Sequence, residues 1–262
     1  MILGIHPLIL LMALVGFAAE ITAVIIGFII VSGKIKSVKI LGIGYIVTGI
    51  IGIVTQAAFL ARNIVRTSDI IRILINVDTA AAAVSSLFGL LCVCLFVHKN
   101  YGCKWIYFPL FAQPIVSAFS RVASGFVLSH IGGEGVLIAG TGFSTNVTSL
   151  VTGTVIAIIL IVVFYRNRKN EKIIPHAWII RLITYCWSLV MIIASIGFYA
   201  FCLSGGAGAE SIYFEHIENF SIFQTIYTLF GSFVGIVMPV YILVMAKRAE
   251  RKLEETSAYI ED

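Results

Sequence analysis

Apolar residues run along this chain in long blocks, broken by short polar links, and the blocks rather than any alternation predict its elements. A helix needs roughly 20 apolar residues to cross the hydrocarbon core of a bilayer. Seven stretches qualify: Pro7 to Ser32, Ile40 to Ala61, Ile70 to Val97, Trp105 to Leu128, Thr145 to Tyr165, Ala177 to Leu203 and Phe220 to Ala246. The expectation is an all-α, polytopic membrane protein of seven transmembrane helices. The links are too short for a separate soluble domain, so residues 1–262 form one transmembrane domain, with 247–262 as a charged tail that is helical in its first turns. The first segment has no basic leader and no small-residue cleavage site, and it is expected to be a retained helix rather than a signal peptide. Between the fourth and fifth segments the glycine-rich stretch Ser129 to Ser144 is expected to be an apolar, partly re-entrant loop.

Composition agrees with the pattern: 60% of residues are hydrophobic, 12% are charged, and the mean hydropathy is +1.04. A pI near 9.0 can point to nucleic acid, but in a polytopic chain excess Lys and Arg marks the cytoplasmic loops, and no nucleic-acid partner is expected. Lys34, Lys36, Lys39, Lys99, Lys104, the run Arg166 to Lys172, Arg181 and the run Lys247 to Lys252 fall on one side of the seven-helix plan; Arg62, Arg66 and Arg72 fall on the other. The N-terminus is therefore expected outside and the C-terminus in the cytoplasm. The glycosylation-type triplets at Asn146 and Asn219 lie at outer helix ends in this plan.

Ionisable residues at membrane depth are costly unless paired or hydrated, which makes each a functional candidate. Three lie deep within predicted spans, away from their ends: Glu20, Asp78 and Arg121. At 1.5 Å per residue, Asp78 and Arg121 both lie roughly 10–13 Å from the outer ends of their helices, and Gln56, Asn76 and Gln224 share that half. Two readings follow: an Asp78–Arg121 ion pair that locks two helices, with the amides as interhelical glue, or a polar substrate cavity lined by these groups. Glu20 lies about 20 Å below the outer surface with no obvious partner at that depth, either as a protonated acid bonded to a carbonyl or as a proton-coupling carboxylate.

Several chemistries lack their residues. No Lys occupies a helix centre for a Schiff base, and no phosphate-binding glycine loop of the G-x-x-x-x-G-K-[ST] form is present. The five His lie near helix ends or in loops, and the Cys show no C-x-x-C spacing; Cys92 and Cys94 are expected as buried small apolar residues. No nucleophile elbow or zinc-binding H-E-x-x-H occurs, so neither catalysis nor a metal or other cofactor is expected.

The middle of the chain resembles the fungal lipid-translocating exporter (RTA-like) family. Its D-V-[IV]-S-F-x-x-Q-x-x-G-G-G motif is similar to PIVSAFSRVASGF, Pro114 to Phe126, at Ile115, Val116, Ser117 and Gly125, with Pro114 in place of the acid and Arg121 in place of the glutamine. Its G-x-x-I-I-x-A-G-L pattern resembles GEGVLIAGT at Gly133, Val136, Ala139 and Gly140. The family's E-x-x-G-Y-x-x-R resembles TQAAFLAR, where Arg62 is kept while Thr55, Ala58 and Phe59 replace the acid, glycine and tyrosine. SIGFYAF, the glutamates up to Glu218, Gln224 and Met238–Pro239 occupy places comparable to its last motifs, with most of the charged hallmarks absent.

The resemblance implies seven helices with an outer N-terminus and export or flipping of membrane lipids or amphipathic small molecules, at the plasma membrane, without a nucleotide motor. It would make Arg121 a headgroup contact and Asp78 its counter-ion. The alternative is a seven-helix receptor or sensor, which the topology fits equally well; MPVY at Met238 to Tyr241 stands where many receptors carry N-P-x-x-Y.

Overall fold

The computed structural model describes residues 7–64, 68–112, 115–116, 134–169, 174, 176–205 and 209–261. Its long elements are all helices: α1 Pro7–Ser32, α2 Lys39–Ile64, α3 Ser68–Tyr101, α4 with helical backbone at 107–112 and 115–116, α5 Glu134–Asn167, α6 Ala177–Ser204 and α7 Ala209–Glu261. Short 3-10 turns at Lys36–Val38 and Lys104–Ile106 lead into α2 and α4. Six helices among the described residues are long and apolar enough to cross a membrane, and the protein is multi-pass. The fourth predicted span lies mostly outside the described residues.

α1 packs on α2 and α7, α2 on α3, α5 on α6 and α7, and α6 on α7. The ends of α1, α3 and α5, the starts of α2 and α6, and the C-terminal half of α7 meet at one end of the bundle, called here the clasp end. The buried core gathers there, around Phe96, Ile106, Phe164, Ile174 and Ile242. Large apolar side chains such as Leu14, Phe28, Phe230 and Phe233 are exposed along the outside of the helices, as expected where lipid is the solvent. α3 stops at Gly102, whose φ of 66° is the left-handed cap conformation that glycine adopts freely; its N–H donates to the His98 carbonyl at 2.9 Å.

Two boundaries differ from expectation. The stretch Ser129 to Ser144 is not a loop throughout: α5 begins at Glu134, so residues 134–144 are helical, and Asn146 lies well inside α5, its side-chain amide donating to the Gly142 carbonyl at 2.8 Å. Glycine weakens a helix in water, but in an apolar setting the helix is the only local way to satisfy the backbone. α7 is the second correction. It starts at Ala209 rather than Phe220, takes Glu210, Glu215, Glu218 and Asn219 into helix, and continues through the tail to Glu261, giving 53 residues in one element.

The tail is tied down at the clasp end. Glu250, 8% exposed, accepts the backbone N–H of Lys34 on one carboxylate oxygen at 2.6 Å and the Lys247 ammonium on the other at 2.9 Å. One turn on, Glu254 pairs with the exposed Lys34 side chain at 2.8 Å. Within the membrane portion of α7 stands Pro239, which has no N–H to give the Gly235 carbonyl one turn earlier.

Candidate functional site

The site begins with two polar residues that the antiparallel packing of α1 and α2 brings together. Residues four apart share a helix face, so Gly16 and Glu20 form one such pair and Gly52 and Gln56 the other. The Glu20 carboxylate lies in the notch left by Gly52, and the Gln56 amide lies in the notch left by Gly16. A Cβ placed on Gly52 would stand 2.6 Å from Glu20 Oε1, and one on Gly16 would stand 2.5 Å from Gln56 Cδ. Further along the same seam Gly49 faces the Glu20 carbonyl, and Gly27 and Gly42 face each other's carbonyls at 2.7 and 2.9 Å. Small residues let the two backbones approach this closely.

Glu20 and Gln56 line a cavity of about 670 Å³ enclosed by α1, α2, α6 and α7. Across it Trp187 of α6 stacks on Tyr227 of α7, ring centroids 4.5 Å apart and 18° from parallel, over the open face left by Gly231. Among the described residues the buried Trp187 indole N–H has no hydrogen-bond partner. Thr48, Ser188, Thr228 and Ser232 add aliphatic hydroxyls to the lining; each donates to the carbonyl one turn earlier and leaves its lone pairs to accept. Gly235 and Pro239 also face this space, so the helix hydrogen bond missing at Pro239 lies in its wall. Glu20 has no hydrogen-bond or ionic partner among the described residues. The cavity thus offers one acid, one amide, four aliphatic hydroxyls, the phenols of Tyr45 and Tyr227, and an aromatic stack within apolar surroundings.

Of the residues singled out from sequence, Glu20 and Gln56 converge. Glu20 has no charged partner at its depth among the described residues, and Gln56 lies one turn away across the same seam. Gln224 is half-buried on α7, its carbonyl accepting from Thr228, and does not line the cavity. The backbone at Asn76 and Asp78 is helical, but their side chains lie outside the described residues, as does Arg121 altogether. His98 Nδ1 shares a hydrogen bond with the Tyr107 hydroxyl at 2.9 Å, and the His176 backbone N–H donates to the Tyr241 hydroxyl at 2.8 Å. Cys92 and Cys94 are buried, as their apolar setting suggests, and the Cys94 thiol donates to the Ile106 carbonyl at 3.1 Å.

Arg181, counted from sequence only among the basic residues of one side, lines the interior of the bundle from the second turn of α6. It lines a slot of about 430 Å³ between α3, α5 and α6 and a chamber of about 310 Å³ toward the clasp end. Ser188 and Ile192 border both the slot and the Glu20 cavity, and Tyr45 borders both the chamber and that cavity. Trp187, Tyr227 and Tyr45 were likewise not anticipated. Among the described residues, no group of three or more His, Cys, Asp or Glu could hold a metal ion.

Comparison with known proteins finds no matching family model, curated protein or solved structure.

Proposed function

We propose that this protein is a seven-helix membrane protein, N-terminus outside and C-terminus cytoplasmic, that moves membrane lipids or amphipathic small molecules across or out of the plasma membrane without a nucleotide motor. The observation that carries this reading is the Glu20–Gln56 cavity. An amphipath needs hydrogen-bonding partners for its head along a path through hydrocarbon and apolar surface for its tail. A cavity of about 670 Å³ that combines an acid, an amide and hydroxyls with a tryptophan–tyrosine stack supplies both kinds of surface. The resemblance of Pro114 to Phe126 and of Thr55 to Arg62 to lipid-exporter motifs supports the same class. In this reading Glu20 and Gln56 meet the head group, and Arg121, Asp78, Asn76 and Gln224 extend the polar path.

The test is reconstitution. Vesicles of phosphatidylcholine carrying the purified chain, loaded with a fluorescent lysolipid or long-chain base, should equilibrate the label between leaflets faster than protein-free vesicles, as read by dithionite quenching. Equal rates would count against translocation. A receptor or sensor draws support from one feature only, the continuous α7 that joins the cavity wall to the clasp; it predicts ligand binding with no accelerated exchange of label.

A further inference from the structure

Arg181 carries a charge that the described protein does not answer. Its Nε is sealed from solvent and has no hydrogen-bond partner, and neither ion pair found among the described residues involves it. Guanidinium stays protonated at any physiological pH, so it cannot escape by losing a proton. At membrane depth such a group needs a counter-charge or hydrogen-bond acceptors close by.

The surroundings of Arg181 differ on its two sides. The slot toward α3 and α5 is bordered by the hydroxyls of Ser85, Ser86, Thr184, Tyr185 and Ser188, and no described carboxylate lines it. Thr184 and Ser188 donate to backbone carbonyls, and the Tyr185 hydroxyl is bonded to that of Thr154. The chamber toward the clasp end is walled by Phe96, Phe164, Ile174, Met238 and Ile242, with the Tyr45 phenol as the neutral polar group near Arg181 and again no described carboxylate. Arg181 therefore stands where a hydroxyl-lined slot meets an apolar chamber.

We infer that Arg181 anchors a second ligand site, for an amphipath with an anionic oxyanion head, carboxylate or phosphate monoester, whose apolar body occupies the chamber beside Phe96 and Phe164. The planar fork of the guanidinium suits two parallel bonds to such a head. A cationic head would meet the arginine with no acid to offset it, and a neutral head would leave the charge unanswered. The site shares Ser188, Ile192 and Tyr45 with the wall of the Glu20 cavity but is centred on Arg181, and it does not rest on translocation, because equilibrium binding alone reveals it.

The experiment uses the full chain in a nonionic maltoside detergent, with dodecanoate, dodecyl phosphate, dodecylamine, dodecanol and inorganic phosphate as probes. Affinity is read by thermophoresis and stabilisation by thermal unfolding. Dodecanoate or dodecyl phosphate should bind saturably and raise the unfolding temperature through Arg181; any binding of dodecylamine or dodecanol, at the Glu20 cavity, should be the same in wild type and in the Arg181 variants. The tighter of the two anions identifies the head. Inorganic phosphate should bind far more weakly than dodecyl phosphate, and equal affinity would overturn the lipid source in favour of a free anion. Arg181→Gln should weaken the preferred anion by at least about tenfold, the loss of one charge-assisted contact. Arg181→Lys keeps the charge but gives up the two-pronged geometry, and should weaken it by about three- to tenfold. Should Arg181→Gln fail to fold, the lysine variant decides: anion affinity unchanged by Arg181→Lys overturns the proposal, as does a dodecylamine affinity that falls with the anion's in either Arg181 variant.

Discussion

The carboxylate of Glu20 rests where Gly52 has no side chain, 2.6 Å from the position a Cβ on that glycine would take. An acid in one helix and a glycine in the next thus act as a single fitted unit, and the unit forms one wall of the candidate cavity.

Substitutions along this seam should separate by what they strike. Gly27→Ala drives a methyl to within 2.7 Å of the Gly42 backbone carbonyl, which cannot step aside, and should destabilise the protein by about 1–3 kcal/mol. Gly52→Ala meets the end of a flexible side chain and should have the smaller effect on stability while displacing Glu20. Gly197→Ala meets nothing within 4 Å and should be neutral or slightly stabilising. Thermal unfolding of the three variants in one detergent checks the order.

Glu20→Gln keeps size and hydrogen-bonding capacity and removes the charge. Under the translocation reading it should slow movement of a cationic label by about tenfold while the unfolding temperature holds within a few degrees. An unchanged rate would place the head group elsewhere.

The clasp rests on Glu250. Glu250→Ala leaves the Lys34 amide without its carboxylate acceptor and Lys247 without its partner, and should cost about 1–3 kcal/mol. Lys34→Met removes only an exposed, solvent-screened pair with Glu254 and should change stability less than Glu250→Ala does. Amide hydrogen exchange at residues 33–35 should quicken in the first variant and stay slow in the second.

Lys34 also predicts a pH dependence. The hydrogen bond and charge of Glu254 raise its pKa above the ordinary lysine value. A raised lysine pKa contributes stability that is complete below the unfolded value, about 10.4, and is lost as pH climbs through the folded one. The difference in unfolding temperature between wild type and Lys34→Met should therefore be constant at neutral pH and shrink in the alkaline range.

Trp187 provides an optical report on the cavity. An amphipath with a brominated chain that enters the Glu20 cavity should quench a fraction of tryptophan emission, and Trp187→Phe should abolish that saturable component. The other tryptophans, Trp105 and Trp178, do not line this space.

Apolar run length made the spans readable, because a bilayer imposes a minimum length that few other constraints share. The start of α7 and the entry of α5 were not readable by that measure: the helix over Glu210 to Asn219 is polar, and the one over residues 134–144 is rich in glycine. Of the candidate site, Glu20 and Gln56 could be named from their depth, but their meeting depends on a glycine opposite each, a relation between helices that no single segment reveals. Arg181 did leave a trace. Arg181, Thr184, Ser188 and Ser195 recur at spacings of three, four and seven, a polar stripe down one face of α6, and a stripe facing inward places its arginine inside as well.

Pro239 gives the long seventh helix a mechanical meaning. Glu250 lies about 16 Å beyond it along the axis, so a pivot of about 5° at the proline would swing the clasp carboxylate through about 1.5 Å, half the length of the bond it makes to Lys34. Gly235 and Pro239 are also part of the cavity wall. A tilt of α7 at the proline would therefore move the clasp carboxylate and the wall beside Glu20 together.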